Sequence, residues 1–232
     1  MKPRLLDLFC GAGGAAMGYH RAGFEVYGID NKPQKNYPFP FLQMDALEAM
    51  DRLLKGEGLT FSNGETLYLA DFDAYHASPP CQGYGRLQIN TRAAPKLIEP
   101  VRDLFISTGR PYVIENVVGA PLIDPVILCG SMFGLGVWRH RLFEGTFKTG
   151  RPCCRHTLVP YPMDVTGTGG PCLVRFTGGG GIHRKPKTMA EAKTVMGIDW
   201  MIRREIVEAI PPAYTEYIGK YLMQAIKSEV TL

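Results

Sequence analysis

A cysteine set directly after two prolines is the residue in this chain best placed for chemistry. An apolar run from Phe72 to Ala77 reads as a buried strand, and Ser78-Pro79-Pro80 ends it before Cys81 and Gln82. Proline fixes φ and lacks an N–H, so the pair stops strand pairing and stiffens the turn. The Cys81 thiol is then held on a rigid loop at a strand's C-terminal end, the edge where ligands sit in open α/β sheets. A thiolate there is a candidate nucleophile, and the plainer alternative is a small buried thiol that fills space. Other groups fall at comparable places. Leu5 to Phe9 is an apolar run followed by Cys10-Gly11-Ala12-Gly13-Gly14 and a helical pattern from Ala15 to Arg21. Glycines let backbone approach a ligand closely, and a helix N-terminus favours negative charge. The string is not GxGxxG, so the dinucleotide fingerprint is not matched, and a tight turn without a ligand is the alternative.

The elements that position these groups follow the same rhythm. A run from Phe24 to Ile29 ends in Asp30, where a ribose diol finds its hydrogen bonds in nucleotide-binding folds. Asp45 closes a third short run, Phe41 to Met44, ahead of a helical segment at 46–54 and a polar, Gly-rich loop at 55–65. Pro100 opens a helix that Gly109 stops, and the strand from Pro111 to Ile114 ends in Glu115-Asn116. Four runs thus end in a glycine loop, an acid, a cysteine and an acid, which predicts one edge of a parallel sheet. Alternation over Val137 to Glu144 predicts a strand with Arg139 and Arg141 on one face, able to aim at one acceptor-rich ligand or simply to form a solvated basic edge. Short helices are expected over 189–196 and 203–209. Pro211-Pro212 starts a last helix with Tyr217, Ile218, Tyr221 and Leu222 on one face.

Composition sets outer bounds. The 232 residues suit one α/β domain with a small appendage, and 45% hydrophobic with 21% charged residues excludes a disordered chain. A net charge of +4 is compatible with a nucleic-acid partner only where the positive charge clusters. With no apolar signal segment and no 18-residue apolar span, a cytoplasmic protein with reduced thiols and no membrane partner is expected. Residues 148–188 change character, carrying Cys153, Cys154, His156, Cys172, a glycine run and His183-Arg184-Lys185-Pro186-Lys187. A zinc set of Cys153, His156, Cys172 and His183 fits no standard spacing, so no metal is assigned; the alternative is isolated thiols in a small subdomain.

Taken as an ordered set, these motifs resemble the cytosine-5 DNA methyltransferases. The stretch Asp7 to Gly14 resembles that family's cofactor loop, Pro79-Pro80-Cys81-Gln82 its catalytic loop, Glu115-Asn116-Val117 its second catalytic motif and Arg139-His140-Arg141 its arginine motif. Val137 stands where the arginine motif usually begins with Gln, and Val207-Glu208 stand where Gly-Asn usually precedes Ala-Val-Pro-Pro. The resemblance implies a doubly wound, mostly parallel Rossmann-like sheet. It divides the chain into a catalytic and cofactor-binding part (1–147), a short target-recognition insert (148–188) and C-terminal helices that return to the catalytic part (189–232). S-adenosylmethionine would be held by Asp7, Phe9, Cys10, Gly11, Ala12, Gly13, Gly14, Asp30, Asn31, Asp45 and Pro79, with Asp30 on the ribose and Asp45 near the adenine. Cys81 would add to C6 of a flipped-out cytosine, Glu115 would protonate N3, Arg141 would hold O2 and Arg139 would support the loop or a phosphate.

The implied substrate is double-stranded DNA, met by a monomer through Gln82, Arg86, Arg184, Lys185 and Lys187. The basic insert is expected to face the Cys81 loop across a cleft and to read a short site. Two alternatives share the motifs or the fold: a tRNA cytosine-5 methyltransferase, and a catalytically silent DNA-binding paralogue, which need not keep Cys81, Glu115 and Arg141 together. A Rossmann oxidoreductase is disfavoured by the glycine loop.

Overall fold

Apolar runs too continuous to have a wet face build the centre of the molecule. The computed structural model describes residues 2–84, 95–165 and 184–229. In chain order its regular elements are β1 (Arg4–Leu8), α1 (Gly14–Arg21), β2 (Glu25–Asp30), β3 (Phe41–Gln43) and α2 (Ala46–Leu54), then a small hairpin of β4 (Leu59–Thr60) and β5 (Thr66–Leu67). β6 (Ala74–Ala77), α3 (Ile98–Thr108), β7 (Tyr112–Asn116), β8 (Val126–Leu128) and β9 (Arg141–Gly145) follow, and α4 (Met189–Met196), α5 (Arg203–Glu208) and α6 (Pro212–Glu229) complete the fold. β6 and β7 are buried along their whole length and β1 along all but its first residue, as strands covered on both faces must be.

Among the described residues the main sheet has seven strands in the order β3-β2-β1-β6-β7-β9-β8. β1, β2, β3, β6 and β7 pair in parallel, whereas β9 runs antiparallel to both β7 and β8. The strand order reverses between β1 and β6, so the loops after these two strands diverge and leave a crevice at the sheet's C-terminal edge. Because β9 is antiparallel, its first residue, Arg141, lies at that same edge.

Alternation along β1 sends Leu5 into one core and Leu6 and Leu8 into the other. The first core gathers Tyr19 of α1 and Tyr214, Ile218 and Leu222 of α6, and the second gathers Met50 and Leu53 of α2 and Val101 and Phe105 of α3. α1 and α6 approach so closely that a Cβ on Gly18 would collide with the Thr215 hydroxyl and the Pro212 carbonyl. A third core joins α4 and α5 to Ala12, Val137 and Met163, which brings the C-terminal helices back onto the glycine loop.

The sheet and its helices follow the sequence expectation, with four differences. α3 opens at Ile98 rather than at Pro100, which sits in its first turn, where its missing N–H costs nothing. The loop at 55–65 contains β4 and the whole turn of the β4–β5 hairpin. β8 has no counterpart among the expected runs. β9 begins only at Arg141, because Arg139 takes a φ of 32° that no strand accommodates.

Candidate active site

The crevice edge collects the expected groups, each brought there by its own strand. After β1 the chain turns through Phe9 (φ 56°), Gly11 (φ 50°) and Gly13 (φ 85°) into α1. A Cβ on Gly11 would meet nothing within 4 Å, so the backbone there borders open space. Asp30, at the end of β2, accepts from the Gly11 N–H at 3.0 Å and from the Lys32 N–H at 2.9 Å, and so fixes the loop from beside it. The Trp200 indole N–H donates to the Ala12 carbonyl at 2.8 Å from the C-terminal segment. An acid beside a glycine turn with free space above it, at a topological switch point, fits the nucleoside end of a cofactor such as S-adenosylmethionine.

Of the expected cofactor set, Asp7 and Cys10 are buried, whereas Asn31 and Asp45 are exposed. Asp7 is fully buried in mid-strand, where its Oδ1 meets His76 Nδ1 of β6 at 2.7 Å. Burial holds its carboxyl above its ordinary value, with His76 opposing. Cys10 is buried beneath the loop, and its N–H donates to Ile29. Asp45 caps α2, accepting from the N–H groups of Leu47 and Glu48 through Oδ1. Asn31 is exposed, and its carbonyl accepts from Gln43.

Cys81 opens a 3₁₀ turn after β6 and is exposed, as is Gln82. The buried Asn116 side chain, at the end of β7, donates to the Pro79 carbonyl at 2.9 Å and so fastens the cysteine loop to the neighbouring strand. Glu115, one residue earlier, is buried to 4% exposure, and its Oε1 lies 3.2 Å from Arg141 Nε. The approach is too bent to be a hydrogen bond, so the contact is charge pairing alone. Desolvation raises the Glu115 carboxyl above its ordinary value, opposed by Arg141, Ser78, His76 and Arg139 in that order. A carboxyl in this position resists ionisation and can carry a proton at the crevice.

The Arg139 guanidinium is buried although the residue as a whole is only half-buried; Nη2 donates to the Val207 carbonyl at 2.8 Å. Its Nε and Nη1 are buried without a hydrogen-bond partner among the described residues. Burial, then the neighbouring Arg141, push it down to about 9, still charged at neutral pH, and Tyr214 and then Glu115 act the other way. The expected single-face arrangement of the two arginines does not hold, since Arg139 precedes the strand in a left-handed conformation. The turn is held by the Tyr214 hydroxyl, which donates to the Trp138 and Arg139 carbonyls at 3.2 and 2.9 Å. Arg141 pairs with Glu115, and the Arg139 charge acts on the same carboxyl only through space.

Arg184 is exposed and pairs with Glu191 at 3.7 Å, Lys185 is half-buried and Lys187 is exposed. Arg86, Cys172 and His183 lie outside the described residues. Asn116 and Tyr214 carry structural duties that the sequence reading did not assign to them.

No family model matches the chain. Over 128 residues, half of this chain, it is 33% identical to the type II methyltransferase M.AgeI of Thalassovita gelatinovora. The match covers 28% of that curated relative's length. Solved structures similar to it include a DNMT2 variant from Spodoptera frugiperda (TM-score 0.58, 12% identity, 95% of this chain and 99% of that one) and the Dnmt2 methyltransferase of S. pombe (TM-score 0.55, 13% identity, 97% and 99%). The fold is the Rossmann-like α/β fold of such methyltransferases.

Proposed function

We propose that this chain is a DNA (cytosine-5)-methyltransferase that uses S-adenosylmethionine. It would act as a monomer on double-stranded DNA in the cytoplasm, where its cysteines stay reduced. One observation carries the reading: an exposed cysteine on a loop clamped by Asn116 shares a sheet edge with a buried glutamate that resists ionisation and an arginine, Arg141, that pairs with it. The likeness over half the chain to a type II methyltransferase supports it.

Cytosine C5 is a weak nucleophile, and addition of a thiolate at C6 makes it enamine-like, splitting one difficult step into easier ones. Cys81 forms that bond, and the electron density it pushes onto N3 is taken up by a proton from Glu115. Arg141 holds O2 while pairing with Glu115, and the buried Arg139 supports the turn from behind through the Val207 carbonyl. The bound cofactor supplies an electrophilic methyl group. Gly11 admits it closely, and Asp30 shapes the loop and faces the ribose. The base must leave the duplex for C6 to be reached.

Residues 148–188 are too few for a large recognition domain, so the site read is short, about two to four base pairs at roughly 1–3 kcal/mol per base. Bisulfite sequencing of DNA from an expressing host tests the proposal. Methylated cytosines in one short context are expected with the native chain and none with Cys81→Ser. Unmodified DNA, with methyl label entering RNA instead, would assign the substrate to RNA.

A further inference from the structure

Two cysteines and two histidines converge beside the arginine turn. The ligand atoms of Cys129, His140, Cys154 and His156 all lie within 4.8 Å of one another. Cys129 Sγ is 3.4 Å from His156 Nε2, and His140 Nε2 is 3.4 Å from Cys154 Sγ. A tetrahedral zinc with Zn–S near 2.3 Å and Zn–N near 2.0–2.1 Å places neighbouring S and N ligands about 3.5 Å apart. The two imidazoles stand at 88° to each other, so they do not stack and both can face one point.

We infer that these four side chains bind one zinc ion in a closed, tetrahedral, structural site. Two thiolates and two imidazoles select zinc over magnesium or calcium, and four protein ligands leave no open position for catalysis. The surroundings hold the ligands in place, as outer-shell groups of metal sites do. Trp138 stacks on the His156 ring with centroids 4.0 Å apart and planes at 16°. The buried Ser131 hydroxyl lies 3.2 Å from Cys129 Sγ and accepts from the Arg155 N–H at 3.0 Å, between two ligand residues. Cys129 is buried and Cys154 exposed, which gives the ion a path in from solvent.

The four ligands come from three places in the chain. Cys129 follows β8, His140 separates Arg139 from Arg141, and Cys154 and His156 lie at the root of the 148–188 segment. One ion would therefore tie that segment to the sheet and hold the arginine turn. The set shares only His156 with the Cys153, His156, Cys172 and His183 grouping: Cys153 is exposed and outside the cluster, and Cys172 and His183 lie outside the described residues. The pattern C-x10-H-x13-C-x-H matches no standard zinc spacing, so only the fold reveals it. The inference does not depend on which substrate the enzyme methylates.

The test is metal analysis of the reduced full-length protein together with cobalt substitution. One zinc per chain is expected. Replacement by cobalt should give the visible absorption of a tetrahedral ion and a thiolate-to-cobalt charge-transfer band, both abolished by stoichiometric zinc. A strong chelator should lower the thermal midpoint of the wild-type chain, and zinc but not magnesium should restore it. Cys154→Ser should lose the metal, and Cys153→Ser should keep it. Wild-type protein without zinc that leaves cobalt with its free octahedral spectrum would overturn the assignment. So would metal loss from Cys153→Ser equal to that from Cys154→Ser, or a Cys129–Cys154 disulfide in the protein as isolated.

Discussion

Glu115 joins the electrostatics of the site to its chemistry. Its raised carboxyl value means that the folded chain prefers the protonated form. The associated stability is fully present below the ordinary glutamate value of 4.5 and is lost as pH rises through the higher folded-state value. Glu115→Gln removes that dependence. Thermal midpoints of wild type and variant should converge at low pH, and the wild type should fall relative to the variant as pH rises. The same substitution keeps a donor near N3 but cannot deliver a proton, so methyl transfer should drop by about 100- to 10,000-fold with cofactor affinity retained. Cys81 and Glu115 were legible in the sequence because each ends an apolar run, and the end of a parallel strand is a place as well as a residue. Asp7 ends no run. It sits within β1, and strand alternation turns it toward His76 in the core, which motif matching alone does not show.

Two fastenings between elements hold the crevice. Asn116 ties the Pro79–Cys81 loop to β7, and Asn116→Ala would leave the Pro79 carbonyl unpaired at a cost of about 1–3 kcal/mol. Its turnover should fall while cofactor affinity, measured by calorimetry, stays near wild type, because the glycine loop is held from β2 and from Trp200. Behind the site, Arg102 of α3 forks onto Glu144 of β9 at 2.7 and 2.8 Å, and Glu144 also accepts from the Ile123 N–H at 2.7 Å. Arg102→Met would strand a buried carboxylate and should destabilise the fold by roughly 3–5 kcal/mol in urea unfolding, whereas an exposed pair would cost under about 1 kcal/mol. The buried parallel strands were legible as continuous apolar runs. β8 is three residues long with one exposed position, too short for any period to register. The start of β9 was obscured because Val137 to Glu144 alternates in type although the backbone turns at Arg139.

At the scale of the whole molecule, the sheet order explains why residues far apart in sequence meet. Parallel β1, β2, β6 and β7 present their ends at one edge, and antiparallel β9 returns its beginning there. The architecture could be anticipated from strand, turn and helix signals alone. The meeting of Cys129, His140, Cys154 and His156 could not, since it depends on β8 and β9 lying side by side. The segment rooted at that cluster carries Arg184, Lys185 and Lys187 on its return strand of chain, where Arg184 pairs its backbone with Pro162 and Asp164. Replacing all three with Ala should weaken DNA binding about equally for every sequence and flatten its salt dependence, because phosphate contacts position and do not specify. Fluorescence titrations across a salt series read both effects.

The central claim is a covalent bond between Cys81 and C6 of cytosine. It is tested most directly with duplex DNA carrying 5-fluorocytosine at the methylated position, since the fluorine cannot leave as a proton and the adduct persists. Wild-type chain with S-adenosylmethionine should give a species of protein joined to DNA that survives denaturing electrophoresis, with the cross-link mapped to Cys81 by mass spectrometry, and Cys81→Ser should give none. Methylation of ordinary DNA under conditions that yield no adduct, or an adduct that persists in Cys81→Ser, would contradict the account.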